Sequence, residues 1–114
     1  MQSLLMLIYA LAQAAVATTP PPARPVTALF SVYDYPSEAV KNGWQGDVTV
    51  DLTVGTNGKV TNCAIVTSSD HEVLDSATCN ILMRRAKFKP ATDASGQPIE
   101  SHVIPEPIRW RLGP

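Results

Sequence analysis

The chain has almost no charge of either sign to spare. Nine Lys and Arg stand against ten Asp and Glu, for a formal net charge of −1 and a pI near 6.0. That balance excludes the basic stripe that phosphate recognition requires, so no nucleic acid is expected as a partner. The basic residues Arg84, Arg85, Lys87 and Lys89 do cluster, but at the end of an expected helix, where cations complement its dipole. Cysteine and histidine are equally scarce: Cys63 and Cys79, His71 and His102. No Cys-x-x-Cys pair and no four-ligand set can be assembled, which weakens redox-motif and zinc readings. There is no Gly-x-Ser-x-Gly elbow, and His71 beside Ser68, Ser69, Asp70 and Asp75 is sequence adjacency, not triad geometry. His102 near Glu100 and Glu106 is a poor metal set and reads as surface. No catalytic residue, metal ligand or cofactor is therefore expected. Internal repeats are lacking too.

A long hydrophobic run is also missing. The apolar stretch Leu4 to Ala17, broken only by Gln13, covers 14 residues. As a helix it would reach roughly 21 Å, short of the ~30 Å hydrocarbon core of a bilayer. A secretory segment fits better, with Ala15-Val16-Ala17 as a small-x-small cleavage site before Thr18 and Ala12-Gln13-Ala14 as a second. No Lys or Arg precedes the run. Residues 1–17 are thus expected to be a signal peptide and the mature protein to be periplasmic. A start further upstream would make the run longer and turn it into an inner-membrane anchor. Export suits one disulfide, Cys63 to Cys79, with a pair of buried free thiols as the competing reading. Closing a loop of about 15 residues would contribute roughly 3 kcal/mol, much of the stability that a domain of about 80 residues commands.

What is present falls into ordered pieces. Thr18 to Val32 opens with Thr-Thr-Pro-Pro-Pro-Ala-Arg-Pro, a polyproline-type linker with no apolar period to build a core. The folded part, residues 33–114, is expected to begin near Tyr33, with a short helix from Pro36 to Asn42 stopped by Gly43. From Asp47 the period becomes two: Val48, Val50, Leu52 and Val54 point one way, Thr49, Asp51 and Thr53 the other. Gly55-Thr56-Asn57-Gly58 reads as a hairpin loop in which Asn57-Gly58 supplies positive φ. A second strand follows from Lys59 to Thr67, where a slip of parity near Asn62 suggests a bulge. Ser69-Asp70-His71-Glu72 matches a capping box. Leu74, Ala77, Thr78, Ile81, Leu82 and Arg85 then form one helical stripe, over a helix of roughly 13–15 residues. Asp93 to Gln97 is a polar loop. The last strand, Ser101 to Leu112, carries Pro105 and Pro107 and so belongs at a sheet edge.

A hairpin followed by a right-handed helical crossover places the third strand beyond the first. The expected fold is α+β in two layers: a three-stranded antiparallel sheet of order 2-1-3 with two helices on one face.

Within this order, Tyr35-Pro36-Ser37-Glu38-Ala39, Gly46-Asp47-Val48, Gly58-Lys59-Val60, Ser68-Ser69, Leu74-Asp75-Ser76-Ala77 and Phe88-Lys89-Pro90-Ala91 recur as a set. The set resembles the C-terminal domain of TonB, the periplasmic end of the energy transducer for outer-membrane transporters. The resemblance covers about 80 residues, essentially the whole folded part. It implies that the short box of a transporter is held as an added strand along the strand similar to Ile108, Arg109, Trp110, Arg111 and Leu112. Arg109 and Arg111 would flank such a peptide and favour acidic partners. The competing reading is that the prolines and arginines only protect the edge. The expected partner is therefore an extended peptide of an outer-membrane transporter or another envelope protein, with a homodimer by strand exchange as a further outcome. The brief proline tract reaches at most about 45–55 Å. The domain is accordingly expected to be a stand-alone relative, with a structural or envelope-associated adaptor as the alternative.

Overall fold

A computed structural model describes residues 18–22 and 24–113. The expected signal segment, residues 1–17, lies outside them. The sheet is built on β1, Gly46–Val54, whose inward residues Val48, Val50, Leu52 and Val54 are all essentially inaccessible. Strand β2, Val60–Thr67, runs antiparallel along one side of it. The helix stripe covers the inner face. In α2, Glu72–Arg85, the residues Leu74, Thr78, Ile81 and Leu82 are buried against the strands. The short α1, Ser37–Asn42, buries Ala39 and ends where Gly43 takes a left-handed φ of 68°. The expected α+β order of strands two, one and three is the order found.

The third strand is not continuous. It is two pieces, β5, Ser101–Val103, and β6, Ile108–Trp110, both antiparallel to β1 on the side away from β2. β5 pairs with Leu52 to Val54 and β6 with Gly46 to Val48. Ile104 to Pro107 separates them, because Pro105 and Pro107 have no N–H to offer a ladder. Arg111 and Leu112, expected inside the strand, lie beyond it, and the Leu112 N–H donates to Gln45 Oε1 at 2.7 Å. The expected loop at Asp93 to Gln97 is the tip of a small hairpin, β3 (Ala91–Thr92) against β4 (Pro98–Ile99).

The parity slip in β2 is real. Thr53 pairs with Asn62 and Val54 with Val60, so Thr61 is the extra residue of a bulge; a second shift leaves Val66 unpaired. In the hairpin before it, Gly58 alone takes positive φ, at 84°, while Asn57 accepts the Lys59 N–H on its side chain at 3.0 Å. Gly58 has a second constraint: a Cβ there would lie 2.0 Å from the Phe88 carbonyl oxygen. The chain after α2 thus packs against the hairpin, and the Phe88 N–H donates to Gly58 O at 2.9 Å.

Two expectations need correction. The capping box at Ser69 to Glu72 does not form. His71 is the N-cap residue and makes no side-chain cap bond. Ser69 is drawn instead toward Asp75, which takes the Ser69 N–H at 2.9 Å, the Ser69 hydroxyl at 2.7 Å and the Ser68 hydroxyl. The proline-rich stretch also does more than link. Its end makes a 3₁₀ turn, Val26–Leu29, that buries Val26 in the core, and Leu29 and Phe30 pack beside it. A second 3₁₀ turn, Val32–Asp34, is closed by a reciprocal box between Ser31 and Asp34.

Candidate functional site: the free edge at β6

The site residues expected from the sequence fall into two places. Cys63 on β2 and Cys79 on α2 form a disulfide with their Cα atoms 5.6 Å apart. It pins the outer strand to the helix layer. Ile108, Arg109, Trp110, Arg111 and Leu112 lie together on the opposite side of the sheet.

Alternation sorts the side chains of β6 and of Arg111 just after it. Ile108 and Trp110 face inward and are buried, whereas Arg109 and Arg111 are exposed. Trp110 is the anchor. Its ring meets Tyr35 and Phe30 edge-on, with centroids 5.2 and 5.7 Å away, and such edge contacts are the favoured geometry of aromatic quadrupoles. Its Nε1–H donates to the buried Thr78 hydroxyl at 2.8 Å, which in turn donates to the Leu74 carbonyl one helical turn earlier. The strand is therefore held by both its backbone and the helix beneath it. Tyr35 is fixed as well, because its hydroxyl donates to the Trp44 carbonyl. Burial pushes the Tyr35 phenol above its ordinary range, with the Arg111 charge acting weakly in the other direction.

Along the outer side of β6 runs an open cleft of about 450 Å³, between the strand and the 3₁₀ segment. Phe30, Val32, Tyr35 and Val40 give it an apolar wall, and Arg109 and Arg111 line the strand side. Val32 and Val40 are well exposed there, at 82% and 51%. The two arginines differ. Arg111 Nη2 is 2.8 Å from Asp47 Oδ1, while Arg109 forms no ion pair among the described residues.

The wall is held by an interaction that the residue order does not reveal. Arg85, at the end of α2, grips Asp34 through two nitrogens at 2.8 Å each and donates to the Leu29 carbonyl at 3.0 Å. The hydrogen bonds from Arg85, then that from the Ser31 N–H, draw the Asp34 carboxyl down from its ordinary 3.8 to about 2. Arg85 thus clasps the N-terminal segment, beyond any service to its own helix dipole. The turn, though not the clasp, carried a signal: Ser31-x-x-Asp34 is itself a capping-box spacing. Further along, Thr19 reaches the Ser101 hydroxyl and the His102 carbonyl, so this segment lies against β5 and leaves β6 as the open half of this edge.

His71 stacks on Trp44 with ring centroids 4.9 Å apart and planes 13° from parallel, and His102 pairs with Asp51 at 3.2 Å. The same His102 Nδ1 also lies 3.5 Å from the Thr53 hydroxyl.

Residues 32–112 match the family model for the C-terminal domain of the Gram-negative bacterial TonB protein. The chain belongs to this family. The match begins at the second 3₁₀ turn and ends at Leu112, so it takes in Val32, Tyr35 and Val40 of the wall, the anchor and the edge strand, while Phe30 lies just ahead of it. TonB C-terminal domains are non-catalytic, work in the periplasm and generally bind outer-membrane transporters. No helix among the described residues is long and apolar enough to cross a membrane. Neither the curated proteins nor the solved structures gave a match.

Proposed function

We propose that this protein is a periplasmic TonB-like interaction module that takes an extended peptide as an added strand along β6. The peptide belongs to an outer-membrane transporter or another envelope protein. One observation carries the reading: among the described residues β6 is paired only with β1, and its other edge opens onto the cleft walled by Phe30, Val32 and Val40. Unpaired backbone N–H and C=O groups on such an edge supply affinity, and alternate side chains of the ligand supply specificity. An apolar side chain would enter the cleft, and a carboxylate beside it would meet Arg109.

Backbone NMR titration with transporter-box peptides tests this. Shifts concentrated at Ile104 to Leu112, with a several-fold loss of affinity in Arg109→Glu for acidic peptides, are the expected result. If no box peptide moves these amides, the edge is only protected and the adaptor reading replaces this one.

A further inference from the structure

The sheet has a second edge, and its chemistry differs. We infer that β2 is a self-association surface, on which two copies of the chain pair β2 against β2 in antiparallel fashion about a two-fold axis.

Among the described residues the strand pairs with β1 on one side only. Its eight residues, Val60-Thr61-Asn62-Cys63-Ala64-Ile65-Val66-Thr67, contain no charge and no proline. Edge strands that remain solitary usually carry such residues, because an uncharged β-prone edge templates another strand. Ile65 and Val66 are exposed by 41% and 55%, adding apolar surface to the free backbone groups. Between the two bulges, Asn62 to Ile65 keeps regular register with β1 and offers a flat stretch for pairing.

Charge decides the occupant. At the hairpin end, Lys59 lies beside Lys87 in a β-bridge; at the other end the chain turns through Asp70 into Glu72. The strand is thus positive at its start and negative beyond its end. An antiparallel copy brings each pole onto the opposite pole of its partner, whereas a parallel copy stacks like on like. A two-fold contact is self-complementary by construction, so one sequence supplies both halves. Lys87 caps the start of the edge and limits the pairing to the middle of β2. The contact is small, and interfaces below about 1,200 Å² are weak, so association belongs in the range of roughly 0.01–1 mM.

The proposal is independent of peptide binding at β6. Sedimentation equilibrium of the oxidised protein up to about 1 mM tests it, beside the doubly substituted Ile65→Lys/Val66→Lys protein and the charge-reversed Lys87→Glu protein. The expected result is a reversible dimer that weakens at least about tenfold in the first variant, whose thermal melt shows that it is folded. Lys87→Glu weakens it several-fold, and adding Asp70→Lys to it restores affinity. A monomer at every concentration overturns the inference. So does a dimer that survives the β2 changes, which would point to strand exchange or to β6.

Discussion

The two edges of one sheet differ in length, charge and support. β2 is eight residues long, uncharged and bulged twice, and a disulfide holds it to α2. β6 is three residues long and flanked by Pro107 and Arg111. It is held by a buried tryptophan that hydrogen-bonds into the helix. An edge presented to a foreign strand must be rigid in place but short enough not to recruit every strand it meets. β6 meets both conditions: Trp110 preorganises it, and prolines and arginines limit its company. β2 meets only the first: its cross-link secures the strand without guarding its backbone. A sheet edge is thus made selective by what interrupts it as much as by what it exposes.

The sharpest way to break this comparison is to remove what both edges share. Leu52 is fully buried and pairs with Cys63 on one side and Val103 on the other. Leu52→Ala should cost about 2–5 kcal/mol and loosen both edges together. Chemical denaturation gives the loss, and hydrogen exchange should show protection falling on β2 and β5 alike. Unequal loss would mean that the two edges are separately supported.

A smaller, one-sided effect is expected from the disulfide. Replacing Cys63 and Cys79 with alanine should cost about 2–4 kcal/mol. Exchange should quicken in β2 more than in β6, whose anchor through Trp110 and Thr78 is untouched. Equal quickening would show that the bond steadies the domain as a whole.

The smallest effect concerns the cleft wall and depends on pH. The Asp34 carboxyl titrates near 2 in the folded chain against an ordinary 3.8. A lowered folded value means that the unfolded chain binds the proton first as pH falls. The clasp therefore contributes its full share above the ordinary value and loses it as the solution is acidified toward pH 2. Thermal melts from pH 5 to pH 2 should show a decline that Asp34→Asn blunts. Asp75 adds to the same trend. Burial pushes its carboxyl up, yet the hydrogen bonds from Ser68 and Ser69 outweigh that and leave it below its ordinary value. If Asp34→Asn leaves the acid limb unchanged, the clasp contributes nothing measurable and the decline belongs to other carboxylates.

How much could be read beforehand follows from the range of the forces involved. β1, its hairpin and α2 are specified by local periodicity, and Val48 to Val54 and Leu74 to Leu82 lie where that periodicity places them. The split of the third strand was half legible. Pro105 and Pro107 announced an edge, but not that Ser101 and Ile108 would pair with different halves of β1. The capping box misled because Ser69 and Glu72 have the right spacing, while Asp75, six residues from Ser69, competes more strongly for the same hydroxyl. Least legible was the cleft wall. Val26 directly follows the last proline of a tract with no apolar period, and its burial depends on residues far along the chain. Arg85 and Asp34 are separated by 51 positions, and no local pattern connects them.

The Arg85 clasp has a mechanical consequence. Tension applied to the chain ahead of Val26 does not reach α1 directly. Past the Thr19 contacts with β5, it arrives at the Val26 burial and at the guanidinium that holds Asp34 and the Leu29 carbonyl, and so passes into the end of α2. From there Thr78 relays it to Trp110 and the strand beside the cleft. A load path from residues 26–34 to β6 thus runs along one helix, and the small helix at Ser37–Asn42 stays outside it.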